Sequence, residues 1–399
     1  MSTLKVNTIT TRTGDTVTVA SGKTLQTDTI KDNSNNTLIS SDGTNIALGA
    51  NVAPGRSPSF RNIIINGDMS IAQRSTSVAS ITTTGYYTTD RWRTINATMG
   101  TWTQSQSTDV PSGQGFANSL KMDCTVADAS PAAGDYIVIQ QLMEGQNLQY
   151  LKKGTANAES LTCSFWVKSS KTGTYIAELR DLDNSRTISS TYTINSANTW
   201  EKKTITYAGD TTGTFDNDNA LSLRLNFWLG AGSTYTSGTL ATSWQSFDNA
   251  DRAVGQVNLA DAVNNQFYIT GVQLEAGTQA SPFEFLPYDV NLNRCYRYFE
   301  KESTNSNGII CVSQAYSTSA ALGYKQYKVI KRTAPSISFT GTAIALTAGA
   351  ASAGGTLTFA DISVDNCRAN IASATGLVAG NASAILANTA ITISYDSEL

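Results

Sequence analysis

Apolar and polar residues alternate along much of the chain between residues 60 and 290. The segment Leu161–Ser169 (LTCSFWVKS) has most of its apolar residues on one side and Trp166 on the polar side. In Leu221–Gly230 (LSLRLNFWLG), Trp228 likewise lies on the polar side. A period of two is typical of strands that bury one face. Further strand candidates are Asp135–Gln141, Tyr175–Leu182, Trp200–Tyr207 and Gln266–Leu274. Many strands without helical periodicity predict a jelly-roll β-sandwich.

The first 59 residues contain none of the chain's Phe, Trp or Tyr and cannot build a globular core alone. Short apolar bursts nevertheless recur between turn-forming residues, for example Val17 with Val19 and Ile46 with Leu48. Strands this short cannot bury a face within one chain, but several copies wound about one axis can. We therefore predict an N-terminal oligomeric β stalk that ends in a linker, most simply a homotrimer. An unstructured segment is the alternative.

After the sandwich, apolar residues at helical spacing predict a short helix at Leu292–Phe299. The remaining sequence alternates again, and its apolar pairs are Ile337 and Phe339, Ile344 and Leu346, Leu357 and Phe359, and Ile391 and Ile393. The predicted fold is therefore all-β. It comprises the stalk over 1–59, a central jelly-roll β-sandwich over 60–290, and a short helix with a smaller C-terminal β domain over 291–399.

Composition excludes several classes of function. The chain has no histidine, which removes Ser-His and Cys-His catalytic pairs and histidine metal sites. A net charge of -3 without a Lys/Arg cluster argues against a nucleic-acid partner. Five scattered cysteines predict neither a disulfide framework nor a zinc site, and free thiols indicate assembly in a reducing cytoplasm. Neither a signal peptide nor a run of about 18 apolar residues is present, so no membrane insertion is predicted.

Tryptophans on the polar side of two strands indicate a carbohydrate-binding platform. An indole ring matches the C–H face of a sugar, and nearby polar groups can bond its hydroxyls. The strand-borne candidates are Trp166, Lys168, Glu178, Arg180, Arg224, Asn226 and Trp228. Aromatic residues at an edge or in a loop add Tyr86, Tyr87 and Trp244. The alternative is that loops, the C-terminal domain or another subunit cover the two strand tryptophans, and that Trp244 closes one end of the sandwich.

No catalytic constellation can be identified. Glycoside cleavage needs two carboxylates about 5 to 10 Å apart across a cleft. The candidate acidic residues belong to no recognisable catalytic motif. They are Glu144, Glu159, Glu178, Asp181 and Asp183. We therefore predict a binding protein rather than an enzyme.

Several motifs, in order along the chain, resemble a domain of bacteriophage tail-fibre and appendage proteins. The opening motif is Arg61–Arg74 (RNIIINGDMSIAQR), followed by Thr89–Trp92 (TDRW). The late strand Phe267–Gly277, the segment Ser281–Phe285 and the aromatic segment Asn293–Lys301 complete the set. The resemblance covers roughly residues 61–301.

Residues 2–25 also resemble the N-termini of marine and cyanobacterial phage fibre proteins, and residues 61–286 are similar to carbohydrate-binding modules of the xylanase-associated kind. Those modules commonly hold a structural calcium through an acidic residue of the last strand. Here Thr270 and Gly271 occupy that place, which argues against calcium, and no cofactor is predicted. The aromatic residues that bind sugar in such modules have no fixed positions, so none can be transferred.

The resemblance implies a virion protein, a tail fibre that adsorbs to host surface polysaccharide. Residues 1–59 would attach it to other virion tail proteins. One alternative is a purely structural virion protein, such as a head fibre, a decoration protein or a tail-connecting protein. A glycan depolymerase is the less favoured alternative.

Overall fold

The computed structural model describes residues 29–31, 37–41, 46–48, 60–347, 350–352 and 355–399. The chain divides into two compact units, Met1–Pro58 and Ser59–Leu399. The described part of the first unit is an antiparallel sheet of β1 (Thr29–Lys31), β2 (Thr37–Ser41) and β3 (Ile46–Leu48). Ile46 and Leu48 therefore lie in a strand as predicted, whereas Val17 and Val19 lie outside the described residues. Oligomerisation of the stalk stays a prediction.

The second unit begins with two antiparallel sheets that confirm the predicted all-β sandwich. Their strands are β4 (Ser77–Ile81), β5 (Gly85–Tyr86), β6 (Arg93–Ala97), β7 (Thr101–Ser107), β8 (Ser119–Val126), β9 (Tyr136–Glu144), β10 (Leu161–Ser169), β11 (Gly173–Asp181), β12 (Arg186–Ile194), β13 (Glu201–Tyr207), β14 (Leu221–Ala231), β15 (Gln245–Ser246) and β16 (Gln266–Ala276). The six-stranded sheet has the order β13-β10-β16-β8-β7-β4, and the seven-stranded sheet the order β15-β12-β11-β14-β9-β6-β5. Helix α1 (Ser233–Thr236) follows β14.

The core lies between these two sheets. Residues Cys163, Phe165 and Val167 of β10 are fully buried in it, as the alternation predicts. Leu225 and Phe227 of β14 approach from the other sheet. A continuous hydrophobic layer of this kind is the largest favourable contribution to folding.

The rest of the second unit is also β, apart from α2 (Tyr288–Tyr296). Its strands are β17 (Phe299–Thr304), β18 (Ile309–Ala315), β19 (Ala321–Gln326), β20 (Ser336–Thr340), β21 (Ala343–Thr347), β22 (Ala350–Ala351), β23 (Thr356–Ala360), β24 (Asn366–Ala372), β25 (Ala382–Ala387) and β26 (Ile391–Asp396). They form a three-stranded sheet, β17-β26-β20, and a seven-stranded sheet, β22-β21-β25-β18-β19-β24-β23, with a separate core. The predicted helix exists, but it begins at Tyr288 rather than at Leu292. It ends at Tyr296, because Phe299 already belongs to β17.

Buried charges connect this second core to the sandwich. Arg91, from the TDRW motif, is 1% exposed; it forms an ion pair with Glu398 and packs over the ring of Tyr298, 3.4 Å from its guanidinium carbon to the ring centre. Glu144 at the end of β9 accepts hydrogen bonds from Arg297 at 2.7–2.8 Å and from the hydroxyl of Tyr298. Two motifs of the phage-fibre resemblance thus meet in one network.

The opening motif is likewise a hydrogen-bonding element of the fold. The side-chain oxygen of Asn62 accepts from the backbone N–H groups of Ile64 and Leu274, both at 3.0 Å. The amide of Asn66 donates to the backbone carbonyls of Ile71 and Asp90 at 2.9 and 3.0 Å. Buried backbone groups need such partners, so this motif closes the edge of the sandwich.

Among the described residues, no helix is long and apolar enough to cross a membrane.

A candidate glycan-binding face

The residues predicted to form one platform lie on two different sheets. Trp166 and Lys168 belong to β10 of the six-stranded sheet, whereas Glu178 and Trp228 belong to β11 and β14 of the seven-stranded sheet. Their side chains point away from the shared core, so the two groups lie on opposite outer faces of the sandwich. A single platform that combines Trp166 with Trp228 is therefore wrong, because sequence alternation reports a face but not the sheet to which it belongs.

Trp228 is covered rather than exposed. It is 0% exposed and packs with Val138, Ile176 and Ala253 in a small separate core on the outer face of the seven-stranded sheet. Helix α1 contributes Tyr235, whose ring centre lies 5.5 Å from that of Trp228. The prediction of an exposed ring is thus corrected, because the long connection between β14 and β16 folds over this part of the sheet.

Glu178 is the buried charge beneath this cover. Its carboxylate accepts hydrogen bonds from Arg252 at 2.8 and 3.1 Å, from Trp228 at 3.0 Å and from Asn226 at 2.9 Å. Burial opposes the charge, but Arg252 and these donors hold the pKa of Glu178 below its usual value. Glu178, Asn226 and Trp228 therefore stabilise the fold from positions that a ligand cannot reach.

Arg180 and Arg224 remain half-buried on the same face, two residues along their strands from Glu178 and Asn226. The guanidinium carbon of Arg180 lies 3.7 Å from the ring centre of Phe247 in the covering loop.

The three remaining candidates, Tyr86, Tyr87 and Trp244, are half-buried and bonded within the chain. The hydroxyl of Tyr86 donates to the carbonyl of Leu399 at 3.3 Å, and that of Tyr87 to Thr83 at 2.6 Å. The indole N–H of Trp244 donates to the carbonyl of Ala208 at 2.7 Å, and its ring packs against the main core. Trp244 thus closes one end of the sandwich, which is the alternative that the sequence left open.

The outer face of the six-stranded sheet carries a row of alternating rings and ammonium groups. Strand register places Lys168 opposite Tyr268, and Tyr268 opposite Lys121, across β10, β16 and β8. The Lys168 ammonium lies 4.3 Å from the ring centre of Tyr268 and 5.5 Å from that of Trp200, which directly precedes β13. The ammonium of Lys121 lies 5.6 Å from Tyr268 on its other side. Such contacts fix both the rings and the cations.

Asp109 holds this row from the loop between β7 and β8. Its carboxylate forms an ion pair with Lys168 and accepts a hydrogen bond from the indole N–H of Trp200 at 3.0 Å. Partial burial opposes the charge, but these two donors hold the pKa of Asp109 below its usual value. On the far side, Asp123 pairs with Lys121 at 3.0 Å. Both cations of the row are therefore neutralised locally, whereas Lys202, opposite Trp166 on the same face, is exposed and has no carboxylate partner among the described residues.

Trp166 lies on the next row of the same face and is half-buried. Its register partner on β16 is Thr270, which is followed by Gly271 in the left-handed conformation at a break in the pairing. A side chain at Gly271 would meet the ring of Phe116 at 2.5 Å, so Phe116 packs directly on this glycine. Phe116 in turn contacts Phe285, which is 52% exposed, with ring centres 5.1 Å apart. The face thus continues from Trp166 toward an exposed aromatic cluster.

This arrangement can stack flat apolar surfaces and bond hydroxyls at the same time. Tyr268, 7% exposed, forms the floor, and Trp166 and Trp200 present half-buried rings. The sequence analysis identified Trp166 and Lys168 but missed Trp200, Tyr268, Lys121 and Asp109. Trp200 and Tyr268 lie at the first and third positions of predicted strands, so their aromatic side chains could have marked them as candidates. The sequence does not give the order of the strands, so it could not show that these residues are neighbours.

The acidic residues considered for catalysis are bound to partners within the fold. Asp181 pairs with Lys153 at 2.7 Å, and Glu159 pairs with Lys152 at 2.7 Å. Asp183 accepts from the backbone N–H of Asp216 at 3.0 Å. Burial raises the pKa of another carboxyl, Asp90 of the TDRW motif, to about 6. Asp90 is 0% exposed and accepts hydrogen bonds from Gln73, so it cannot reach a substrate.

Thr270 and Gly271, which argued against calcium in the sequence, are both engaged within the fold. The hydroxyl of Thr270 donates to the carbonyl of Asn118 at 2.7 Å, and Gly271 lies beneath Phe116. Within the described ranges, no group of three or more His, Cys, Asp or Glu side chains is arranged to hold a metal ion.

No protein-family model matches the chain, and no curated protein matches it. Solved structures to which it is similar include the enzymatically active domain of tailspike protein 4 of bacteriophage CBA120, with a TM-score of 0.29 and 17% identity over 57% of this chain. This match spans only 22% of the tailspike chain. The carbohydrate-binding module TmCBM61 in complex with β-1,4-galactotriose gives a TM-score of 0.29 and 10% identity over 54% of this chain and 99% of the module. The family 11 carbohydrate-binding module of a cellulosomal cellulase of Clostridium thermocellum gives a TM-score of 0.24 and 13% identity over 51% of this chain and 98% of that one.

Proposed function

We propose that this chain is a non-catalytic glycan-binding protein whose binding face is the outer surface of its six-stranded sheet. The observation that carries the proposal is the row formed by Trp200, Lys168, Tyr268 and Lys121, with Trp166 beside it. Half-buried rings held by fixed cations are already positioned, so a sugar that stacks on them orders few side chains. The carboxylate of Asp109, whose side chain is 45% exposed, can accept a further hydrogen bond from a sugar hydroxyl.

The paired charges of the row favour a neutral or weakly charged polysaccharide. Lys168 and Lys121 each have a carboxylate partner, so an acidic sugar would have to compete with Asp109 and Asp123 for these two cations. Stacking on aromatic rings is tolerant of sugar identity, and polar contacts then select orientation. A single site of this kind binds weakly, and several copies in one particle raise the avidity.

The biological setting that we propose is a phage virion, in which the chain is a tail fibre. Its motifs resemble those of fibre and appendage proteins, and the motif residues Asn62, Asn66 and Arg91 each make buried hydrogen bonds or ion pairs within the fold. We propose that residues 1–59 form a trimeric stalk attached to other tail proteins, and that the sandwich contacts host surface polysaccharide.

A glycan-array screen tests the binding proposal. Wild type is compared with Trp166→Ala and Trp200→Ala, each checked for an unchanged thermal midpoint. Tyr324→Ala is the matched control, because Tyr324 is an aromatic residue that is 59% exposed in the C-terminal sheet, remote from this face in sequence and strand order. We expect wild type and the control to bind the same glycans. Both tryptophan variants should bind at least about tenfold more weakly, which corresponds to a loss of about 1.4 kcal/mol of binding free energy.

Equal binding by all four proteins would place the glycan site elsewhere. Failure of folded wild type to bind any glycan, including polysaccharide extracted from the host, would favour a purely structural virion protein. Release of shortened oligosaccharides from a bound polysaccharide would instead identify a depolymerase.

A further inference from the structure

Three arginines on the outer face of the seven-stranded sheet have no acidic partner. Arg93 lies on β6, Arg180 on β11 and Arg224 on β14, and all three are half-buried. In the described part of the chain, no side-chain hydrogen bond or ion pair involves any of them. We propose that they form a binding site for an oxyanion, a carboxylate or sulfate group carried by a ligand.

The register of the strands brings the positive charges together. Arg180 and Arg224 are direct partners across β11 and β14. Directly opposed residues have Cβ atoms about 4.5–5.5 Å apart, and like charges at that distance destabilise the pair. Arg93 reaches the same area from β6, because it pairs with Gln140, which pairs in turn with Asn226 beside Arg224. Three guanidinium groups therefore repel one another on one surface.

Nearby donors are buried without an acceptor. The side-chain nitrogen Nε2 of Gln140 has no hydrogen-bond partner, although Gln140 is only 1% exposed. The Nε atoms of Arg180 and Arg224 are also buried and unpartnered. Oδ1 of Asn226, the register partner of Gln140, is a buried acceptor that is also unpartnered, so it can serve Nε2 of Gln140. The Nε donors of Arg180 and Arg224 remain without an acceptor, each at a cost in free energy, and they point to an acceptor that the protein itself does not provide.

The other charges that face this area do not neutralise it. Glu178 is the neighbouring carboxylate, and Arg252, Asn226, Trp228 and Thr187 already bond to it. Burial, together with the positive charges around them, lowers the pKa of both Arg180 and Arg224. Including Arg252 from the covering loop, four guanidinium groups share one carboxylate here. An added anion would relieve this imbalance.

The chemistry of the ligand follows from the donors. Guanidinium groups bind carboxylate and sulfate oxygens through paired N–H donors, and the half-buried position strengthens such bonds relative to open solvent. A uronic acid and a sulfated sugar present these oxygens equally well. The inference rests on the proposed function only in naming a glycan as the carrier, because an oxyanion site exists on this face whether or not the opposite face binds sugar.

Thermal unfolding in the presence of anions tests the site. Wild type, Arg224→Gln and the control Arg368→Gln are compared in sodium chloride and in sodium sulfate at equal ionic strength, and with digalacturonate and neutral galactobiose. Arg368 is a suitable control because it is paired with Asp361 at 2.8 Å in the C-terminal sheet, and its side chain is 43% exposed. We expect sulfate or digalacturonate to raise the melting temperature of wild type and the control by about 2–5 °C, and galactobiose to leave it unchanged.

Arg224→Gln separates a ligand site from a structural arginine. It should lose the anion-dependent shift while melting in chloride at the same temperature as wild type or slightly higher, since one repelling charge is gone. A lower melting temperature of Arg224→Gln in chloride, or an equal sulfate shift in wild type and variant, would overturn the proposal. A response to sulfate alone or to digalacturonate alone identifies the carrier group.

The outcome is independent of the glycan array. Arg224→Gln should keep the array pattern of wild type for neutral glycans, and Trp166→Ala should keep the sulfate shift. Loss of one property without the other shows which of the two proposals has failed.

Discussion

The two outer faces of the sandwich start from the same sequence pattern and end with different chemistry. Each has a tryptophan at a polar position of a central strand, Trp166 on β10 and Trp228 on β14. On the six-stranded sheet Trp166 and Trp200 stay half-buried, and Lys168 and Lys121 each have a carboxylate partner. On the seven-stranded sheet a loop buries the tryptophan over Glu178 and places Phe247 against Arg180, yet the three arginines have no acidic partner. A connecting segment, rather than the strand itself, decides which aromatic residue is available to a ligand.

The largest expected difference between the faces is the cost of removing a carboxylate. Glu178→Gln leaves Arg252 buried and uncompensated, so it should lower the free energy of unfolding by about 3–5 kcal/mol. Asp109→Asn removes a partly exposed ion pair on the other face and should cost at most about 1 kcal/mol. Urea denaturation of both variants at pH 7 measures the difference. Equal costs would mean that Glu178 is not isolated from water.

The pH dependence of the stability of wild type and Glu178→Gln tests whether Glu178 is ionised in the folded protein. The folded-state pKa of Glu178 is below its usual value, so its contribution is present above the unfolded-state pKa of about 4.3 and is lost as pH falls below it. The difference in stability between wild type and Glu178→Gln should therefore shrink in acid and stay constant from pH 6 to 8. A difference that grows on acidification would contradict the ionised, bonded state of Glu178.

Conservative replacement of the two tryptophans has a smaller expected effect. Trp228→Phe removes a hydrogen bond to a buried carboxylate and should cost about 1.5–3 kcal/mol, with glycan binding unchanged. Trp166→Phe should change stability by less than about 0.5 kcal/mol, because in the described residues its indole N–H has no hydrogen-bond partner. Thermal unfolding and the glycan array together measure both variants. Loss of glycan binding in folded Trp228→Phe would show that the covering loop opens.

The smallest expected effect is an opposite response to salt. Asp109→Asn removes an attraction and Arg93→Gln removes a repulsion, so at low ionic strength the first should destabilise and the second stabilise, each by less than about 1 kcal/mol. Both differences should fade in 1 M sodium chloride, where the screening length is about 3 Å. Unfolding measured at two salt concentrations tests the signs. The same sign for both variants would remove the electrostatic contrast between the faces.

The sequence predicted the strands well because alternation is a local property. Leu161–Ser169 forms a strand with the same bounds, and Cys163, Phe165 and Val167 face the core. The candidate site was predicted less well, since it depends on which strands are neighbours. Trp200, Lys168, Tyr268 and Lys121 come from four separate segments, and no spacing in the chain reveals that they share a row. The covering of Trp228 depends on a loop whose path leaves no periodic signal.

The ion pair between Arg91 and Glu398 has a consequence for biosynthesis. The two residues are separated by 307 positions. At about 5–20 residues per second, the ribosome needs roughly 15–60 s to proceed from one to the other. During that interval the charge of Arg91 has no ion-pair partner, so the nascent sandwich cannot complete its packing. Full stability is reached only after the partner has been synthesised, and until then the incomplete chain is the form that chaperones and proteases encounter.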